Sequence, residues 1–273
     1  METATPAASA TAVKAAPGGY VALGDSFSAG PGLPGLRLDS GPCARSDRNF
    51  PSLIAKRLSI SSFTDVSCTA AVTDNMTGRQ WWLIGPQFAA LKPTTETVTV
   101  SIGGNDLGFV EVVAACAILG LTDTHGAPCK RHYTAGGQDE MDRRIAATAP
   151  KVGAVIDGIH SRSPRARVLL VGYQALLPAS KQQCAVATPI ADGDVPYLDN
   201  AERRANAMLA DVAARHQALY VDTYTPSIGH DFCQTRAVRW TEGIQDFNHA
   251  LPVHPNEVGM KHIADLVEAK LAD

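Results

Sequence analysis

Residues 20–28 read YVALGDSFS, an apolar run that ends in a glycine and small polar residues. Its first four residues have strand character, and the segment Gly24-Asp25-Ser26 follows them directly. Four further runs of the same kind are candidate strands, at residues 64–67, 97–102, 167–171 and 219–221. Helical periodicity alternates with these runs, which is typical of an α/β fold built on a parallel sheet.

The candidate helices lie at residues 49–58, 80–91, 107–119, 138–160, 199–216 and 255–271. Pro255 suits the first position of the last helix. Loops rich in proline and glycine are expected at 30–42 and 186–196. Residues 1–18, rich in Ala, Thr and Pro, indicate a flexible lead-in, so we expect one three-layer domain over residues 19–273. Ligands of open parallel sheets bind outside the carboxyl ends of the strands, and the residues just after each strand are therefore the first candidates for a site.

The bulk composition excludes several classes of protein. The chain has 273 residues, of which 45% are hydrophobic and 19% are charged, with a net charge of −3. This length suffices for one large domain with a buried core. The charge balance lacks the clustered excess of Lys and Arg that nucleic-acid binding needs, so no nucleic-acid partner is expected. No apolar run approaches the ~20 residues that a membrane-spanning helix requires.

The cysteine pattern suggests disulfides. Six cysteines are present: Cys43, Cys68, Cys116, Cys129, Cys184 and Cys233. None forms a C-x-x-C pair, which argues against a zinc site. Sequence alone leaves many pairings open, and the sequential one (43–68, 116–129 and 184–233) closes the shortest loops. Because disulfides persist outside the cytosol, the pattern suggests an exported protein; six free thiols in a cytosolic enzyme are the alternative.

Polar residues of complementary chemistry follow two predicted strands and precede the last predicted helix. Ser26 follows the first strand, Asn105 follows the strand at 97–102, and His254 stands just before the last helix. A serine hydroxyl needs an adjacent base to become a nucleophile, and imidazole suits that task at neutral pH. An acyl-transfer oxyanion needs fixed donors, which an Asn amide can supply. The alternative is structural, with Ser26 as a helix N-cap and Asn105 as a turn residue.

These residues stand in motifs that resemble the SGNH hydrolases, also called the GDSL esterase/lipase family. The matching blocks are Gly24-Asp25-Ser26-Phe27-Ser28, Gly103-Gly104-Asn105-Asp106 and His254. The resemblance runs from about Tyr20 to the C-terminus and is closest to the secreted actinobacterial branch, whose members have six cysteines in a similar order. It implies a three-layer α/β/α flavodoxin-like fold with a central five-stranded parallel sheet.

The resemblance also implies a role for each of these residues. Ser26 is the expected nucleophile and His254 the expected base. The oxyanion hole would comprise the Ser26 N–H, the Asn105 side chain and a backbone N–H of the second block. In that block Cys68-Thr69-Ala70-Ala71 stands where related sequences have Gly, so Ala70 takes its place. A backbone donor survives this change if the position accepts a Cβ. No metal or cofactor is implied, and we expect a monomer.

The block around His254 departs from the family pattern. The family carries Asp three residues before the histidine, but Leu251 occupies that position here. The third member of a triad orients the imidazole, and a backbone carbonyl can do part of that work. We therefore predict a dyad in which the carbonyl of Leu251 or Pro252 holds the imidazole. The carboxylates of Asp246 and Asp222 are the alternatives.

The predicted activity is hydrolysis of carboxylic esters through an acyl-enzyme. Lipid esters, cleaved by lipase, esterase or phospholipase A activity, suit a secreted member of the family, and deacetylation of polysaccharides is the alternative substrate class. A non-catalytic binding module of the same fold is the alternative of another class. Five apolar side chains are candidates for an acyl-binding cleft, although core packing would explain each of them as well: Phe27, Leu36, Trp81, Trp82 and Phe109.

Overall fold

The computed structural model describes residues 19–245 and 250–273, and a parallel sheet lies at their centre. Its strands are β1 (Gly19–Gly24), β2 (Phe63–Asp65), β3 (Thr95–Ser101), β4 (Arg167–Val171) and β5 (Leu219–Val221). The strand order is β2-β1-β3-β4-β5, and every neighbouring pair is parallel. The predicted five-stranded parallel sheet is therefore confirmed. The predicted lead-in, residues 1–18, lies outside the described residues.

Helices connect the strands. The α-helices are α1 (Ser26–Ala29), α2 (Phe50–Arg57), α3 (Gly104–Leu107), α4 (Phe109–Gly120), α5 (Pro128–Thr134), α6 (Glu140–Arg162), α7 (Asp194–Arg215), α8 (Tyr224–Ser227) and α9 (Glu257–Ala272). Short 3-10 helices occur at Leu38–Cys43, Thr73–Met76, Gln87–Ala90 and Lys181–Gln183. Within the described ranges, no helix combines the length and the apolar character needed to cross a membrane.

Side chains alternate along the strands and build two apolar layers, one on each face of the sheet. On one face Tyr20 and Ala22 pack with buried residues of α2 and α9. On the other face Val21 and Leu23 belong to a larger cluster that includes buried residues of α4, α6 and α7. The result is a three-layer α/β/α arrangement, as the sequence predicts.

The predicted helix at residues 80–91 is wrong. Gln80 and Ile84 form an isolated antiparallel bridge instead, and only Gln87–Ala90 makes a 3-10 turn. The apolar spacing in this segment imitates a helical face. Backbone pairing across a tight loop satisfies the same N–H and C=O groups without a helix.

Caps and glycines move the ends of three other predicted helices. Gly108, at a left-handed φ of 64°, separates α3 from α4 within the predicted helix 107–119. Helix α7 starts at Asp194, inside the predicted loop 186–196. The side chain of Asn256 accepts N–H groups of the first turn of α9, so Asn256 is the N-cap and Pro255 lies outside the helix.

Three disulfides join the cysteines in sequential order: Cys43 to Cys68, Cys116 to Cys129 and Cys184 to Cys233. No cysteine is free. This is the pairing that closes the shortest loops. The first bridge ties the loop after α1 to the segment after β2 across 25 residues. Closing a loop of this length typically stabilises a fold by ~3 kcal/mol.

Candidate active site

The carboxyl ends of β1 and β3 meet where the strand order reverses, with β2 on one side of β1 and β3 on the other. Such a switch point leaves a crevice outside the sheet. Gly24 ends β1 at a φ of 134°, and a Cβ there would stand 2.5 Å from the carbonyl oxygen of Ser101 on β3. Only glycine therefore lets the two strand ends approach this closely. Ser26 and Asn105, which follow the two strands, line the same pocket.

Ser26 is the first residue of the short helix α1, and Asp25 caps that helix. One carboxylate oxygen of Asp25 accepts the N–H of Phe27 at 2.9 Å. The structural alternative, in which Ser26 is the N-cap, is therefore wrong, because Asp25 has that role. The side chain of Ser26 is buried at the crevice. Because it does not cap the helix, its hydroxyl is available for other contacts.

The side chains of Ser26 and His254 meet at this crevice. Ser26 Oγ lies 2.7 Å from His254 Nε2, and on the other side of the ring Nδ1 lies 2.7 Å from the carbonyl oxygen of Pro252. Because a carbonyl can only accept, Nδ1 carries the proton and Nε2 accepts the serine hydroxyl. That tautomer is the one a general base requires. Burial lowers the pKa of the His254 imidazole from its ordinary value of 6.5, and the hydrogen bond to Pro252 opposes part of the shift.

A tight turn holds His254 in this orientation. The carbonyl of Leu251 accepts the backbone N–H of His254 at 3.2 Å, and no hydrogen bond joins that carbonyl to the ring. The Leu251 alternative is therefore wrong, and the Pro252 alternative describes the geometry. Val253 lies between Pro252 and His254 at a left-handed φ of 58°, which is unusual for a β-branched residue. This local reversal lets the ring reach a carbonyl only two residues upstream.

No carboxylate of the residues that the structure describes bonds to His254. Asp222 is exposed and accepts the N–H of Thr225 at 3.0 Å, at the start of α8. The other acidic candidate, Asp246, lies outside the described residues. The described part of the site is a serine–histidine pair with a backbone carbonyl behind the histidine.

Three candidate oxyanion donors lie on neighbouring turns. Asn105 Nδ2 donates to the carbonyl of Ala71 at 2.8 Å, and this bond ties the turn after β3 to the turn after β2. An amide NH₂ has two N–H groups, so one remains for a ligand. Ala70 has a left-handed φ of 62°, and its N–H donates to no residue in the described ranges. The N–H of Ser26 is equally uncommitted there.

Tyr173, which follows β4, joins two turns of the site and was not identified from the sequence. Its hydroxyl donates to Asp25 at 2.6 Å and accepts the N–H of Gly104 at 2.8 Å. Burial raises the pKa of the Asp25 carboxyl to about 7, although the hydrogen bonds from Tyr173 and Phe27 oppose the shift. Burial and the adjacent Asp25 carboxylate also raise the pKa of the Tyr173 hydroxyl. Its position just after a strand is the signal that could have identified it.

A pocket opens beside Ser26, and most of its lining is apolar. Phe27 and Phe109, two of the candidates for an acyl-binding cleft, line this pocket. The other candidates, Leu36, Trp81 and Trp82, are exposed and lie outside it. Contact with this lining would remove an apolar group of a ligand from water.

Glu202, on α7, places a buried carboxyl at the same pocket. Its Oε2 accepts the N–H of Leu176 at 2.9 Å, and its Oε1 has no partner among the described residues. Burial, with smaller contributions from the nearby carboxylates of Asp199 and Asp231, raises the pKa of Glu202 well above its ordinary value. Burial therefore favours the protonated, neutral form of this side chain. Nothing in the local sequence distinguishes it from an exposed helical glutamate.

The sequence profile of the GDSL-like lipase/acylhydrolase family matches residues 22–262, a span that includes Ser26, Asn105 and His254. The chain belongs to this family. The resemblance seen in the sequence motifs is thereby confirmed. This GDSL-like enzyme is a carboxylic ester hydrolase, and the alternative of a non-catalytic binding module is set aside.

Streptomyces proteins are similar to this GDSL-like enzyme over nearly its whole length. Lipase 2 of Streptomyces coelicolor is 38% identical over 250 residues, which cover 90% of this chain and 83% of that protein. The crystal structure of phospholipase A1 from Streptomyces albidoflavus matches with a TM-score of 0.74 at 26% identity, covering 94% of this chain and 99% of that one. The extracellular lipase from Streptomyces rimosus matches with a TM-score of 0.71 at 26% identity, covering 94% of this chain and 100% of that one.

Proposed function

We propose that this enzyme hydrolyses acyl esters of lipids, as a lipase, esterase or phospholipase A, through an acyl-enzyme on Ser26. The observation that carries the proposal is the 2.7 Å contact between Ser26 Oγ and His254 Nε2. A buried serine in contact with the unprotonated nitrogen of an imidazole is the arrangement that nucleophilic catalysis requires.

In the acylation step, His254 Nε2 takes the Ser26 proton while Oγ bonds to the ester carbonyl carbon. The π electrons of the carbonyl move to its oxygen, which the N–H groups of Ser26 and Ala70 and the Asn105 amide stabilise. As the tetrahedral intermediate collapses, the bond to the alcohol oxygen breaks and the imidazolium returns its proton to that oxygen. The Pro252 carbonyl stabilises the imidazolium through Nδ1–H.

Deacylation repeats these steps with water in place of serine. His254 takes a proton from water, and the water oxygen bonds to the acyl carbon. Collapse of the second intermediate releases the carboxylic acid and returns the proton to Ser26 Oγ. Both side chains end the cycle in their starting states, and the reaction consumes one ester and one water.

The relatives and the pocket support lipid esters as the substrate class. Relatives include proteins named lipase, and a structural neighbour is a phospholipase A1. The pocket beside Ser26 is lined by apolar side chains that include Leu107, Phe109 and Leu176. An acyl chain gains free energy when it leaves water for such a pocket.

We infer that the enzyme acts outside the cytosol, as a monomer with one domain over residues 19–273. Three disulfides and the absence of a free cysteine support export, and a structural relative is described as an extracellular lipase. Thiol titration of denatured, unreduced protein should detect no reactive thiol, whereas six thiols would contradict export. Light scattering during gel filtration should give the monomer mass, and a dimer mass would contradict the monomer.

The nucleophile is tested with Ser26→Ala, and Ser28→Ala is the matched control in the same helix. We expect Ser26→Ala to lower turnover of p-nitrophenyl butyrate by on the order of 10⁴-fold, because no neighbouring group replaces the nucleophile. Ser28 is buried and its hydroxyl has no partner among the described residues, so Ser28→Ala should keep its activity. Full activity of Ser26→Ala would contradict the mechanism.

The substrate class is tested by product release from three substrates at matched enzyme concentration. We expect fatty acid release from triacylglycerol emulsions or phosphatidylcholine vesicles to exceed acetate release from acetylated xylan. Preferential acetate release would replace the lipid proposal with the polysaccharide alternative and would leave the Ser26 mechanism intact.

A further inference from the structure

Residues 80–84, here called the tryptophan loop, present three large apolar side chains to solvent: Trp81, Trp82 and Leu83. Trp82 is 83% exposed. Both tryptophans also have left-handed backbone conformations, with φ of 47° and 55°, which residues other than glycine rarely adopt. Exposed apolar area and left-handed backbone both disfavour the folded state. A role outside the packing of the fold is therefore indicated.

Hydrogen bonds fix the tryptophan loop in this shape. Gln80 and Ile84 exchange two backbone hydrogen bonds, at 3.0 and 2.9 Å. Arg79 Nε donates to the carbonyl of Trp82 at 3.0 Å. The two indole rings are therefore displayed on an ordered support.

The tryptophan loop is anchored beside the candidate oxyanion hole. Gln80 Nε2 donates to the carbonyl of Thr69 at 2.7 Å, and Thr69 directly precedes Ala70. Thr69 is also bonded to a second loop, because its N–H and its hydroxyl donate to the carbonyl of Cys43 at 3.2 and 2.8 Å. Two surface loops therefore flank the turn that carries Ala70.

The second loop is apolar at its surface as well. Leu38 is 97% exposed and Leu36 is 60% exposed, and the Cys43–Cys68 bridge ties this loop to the segment before Thr69. Single exposed apolar residues are ordinary, whereas a group of them around one site marks an interaction surface. We call the group the apolar rim, and it consists of Leu36, Leu38, Trp81, Trp82 and Leu83.

We propose that the apolar rim docks the enzyme on a lipid–water interface and so presents lipid esters to Ser26. This proposal rests on the lipid substrate class proposed above. Tryptophan combines an apolar ring with a polar N–H and prefers the boundary between acyl chains and headgroups. Leucine side chains enter the acyl layer itself. The rim flanks the turn of Ala70, so docking through it places the interface next to the site.

The chemistry of the rim favours a lipid surface over a carbohydrate. Sugars stack on aromatic faces, and aliphatic side chains such as Leu38 and Leu83 gain little from contact with a sugar. Acyl chains pack against both aromatic and aliphatic side chains. Arg79 is exposed next to the tryptophan loop and forms no ion pair with a described residue. Its charge is therefore available to an anionic headgroup.

Binding is tested in a Ser26→Ala parent, so that the vesicles are not hydrolysed. The probe is vesicles of equimolar phosphatidylcholine and phosphatidylglycerol, and the test variant carries Trp81→Asn and Trp82→Asn. Asparagine tolerates left-handed backbone, so the loop should keep its shape. The matched control is Leu121→Asn, because Leu121 is 70% exposed at the end of α4, outside the rim.

We expect the double variant to bind vesicles at least about tenfold more weakly in cosedimentation, and Leu121→Asn to bind like the parent. Tryptophan fluorescence gives a second readout. The chain has 3 tryptophans, and the third, Trp240, is stacked between the rings of His230 and His262. Brominated lipid should therefore quench the parent and should not quench the double variant.

In the active enzyme, the double variant should hydrolyse soluble p-nitrophenyl acetate like the wild type, which shows that the fold is intact. Vesicle binding that is unchanged in the double variant would overturn the proposal, as would equal loss in Leu121→Asn. A dimer that disappears in the double variant while vesicle binding persists would identify a self-association surface instead. If lipid hydrolysis survives the loss of both tryptophans, the docking proposal is wrong and the proposed lipid substrate stands. Vesicle binding without lipid hydrolysis overturns the proposed substrate alone.

Discussion

The hydroxyl of Tyr173 donates a 2.6 Å hydrogen bond to the buried carboxylate of Asp25, which precedes Ser26 in the chain. The same hydroxyl accepts the N–H of Gly104, which precedes Asn105. One phenol therefore fixes the turn of the proposed nucleophile against the turn of a proposed oxyanion donor. Donors that are already in place need no reorganisation when charge develops on the substrate oxygen.

Replacement of Tyr173 by Phe should lower kcat more than it raises KM. The replacement removes the link between the two turns and leaves one oxygen of the buried Asp25 carboxylate and the Gly104 N–H without a partner. We expect a loss of on the order of tenfold in kcat on p-nitrophenyl butyrate and a loss of about 2 kcal/mol in the free energy of unfolding. Steady-state kinetics and urea denaturation measure the two effects.

Tyr20→Phe is the control for Tyr173→Phe. Tyr20 is also buried, and its hydroxyl shares a 2.8 Å hydrogen bond with Thr99 in the middle of the sheet. Its removal should lower stability and leave kcat unchanged. Equal kcat in Tyr173→Phe and wild type would show that Tyr173 acts on stability alone.

Ala70→Gly should keep the activity and raise the stability slightly. The proposed role of Ala70 uses only its backbone N–H, which glycine retains. A left-handed conformation costs an L-residue roughly 1–2 kcal/mol, and the greater freedom of glycine in the unfolded chain offsets about 0.4–1 kcal/mol of the relief. Urea midpoints should therefore rise. Ala89→Gly, at an exposed position in a 3-10 turn, should lower them. A large loss of activity in Ala70→Gly would mean that the methyl group itself is needed.

The strands and the positions of Ser26 and Asn105 were predictable because their signals are local. Each strand of a buried parallel sheet is a short apolar run between turns, and ligands gather after strand ends. Ser26 and Asn105 each come just after such a strand. The tryptophan loop was not predictable in this way, since the spacing of its apolar residues is the same on a helix and on a tight exposed loop.

The sequence alone could not choose between the candidate partners of His254 and could not find the partner of Asp25. The ring of His254 lies in contact with the carbonyl of Pro252 across the left-handed backbone of Val253, a conformation that no propensity favours for a β-branched residue. Tyr173 reaches Asp25 from a position 148 residues away. Local patterns do not encode such pairs, and they become visible only in the folded chain.

The ascending limb of the pH profile of kcat/KM should have its midpoint below 6.5, the ordinary pKa of histidine. Burial disfavours the imidazolium and lowers the pKa of His254, and only the neutral ring can take the Ser26 proton. Activity therefore rises as the pH rises through this lowered pKa. Initial rates at substrate concentrations far below KM measure the limb.

Asp25 is the competing source of such a limb, because its pKa is raised to about 7. A midpoint near 7 that disappears in Asp25→Asn would assign the limb to Asp25. A midpoint below 6.5 that persists in Asp25→Asn assigns it to His254. The two outcomes differ in the midpoint of the limb and in its response to Asp25→Asn. This one variant therefore distinguishes His254 from Asp25.

Glu202→Gln should stabilise the fold increasingly as the pH rises from 5 to 8. The pKa of Glu202 is raised by burial, so the folded state keeps a proton that the unfolded chain loses above the ordinary value of 4.5. The stability that this proton confers is complete below 4.5 and falls by up to about 1.4 kcal/mol per pH unit until the folded-state pKa is reached. Glutamine is neutral at every pH and escapes this loss. Urea unfolding of both proteins at pH 5 and pH 8 measures the difference.

Glu140→Gln controls for a general effect of removing a carboxylate. The hydrogen bonds of Arg143 and Arg144 lower the pKa of Glu140, which is partly exposed, to about 2. Its carboxylate is therefore ionised in both states across most of the range from pH 5 to 8, and the effect of Glu140→Gln should be the same at both pH values. The stability difference between Glu202→Gln and wild type could also be the same at pH 5 and pH 8. That result would show that Glu202 ionises normally in the folded enzyme and that the pocket beside Ser26 contains a charge.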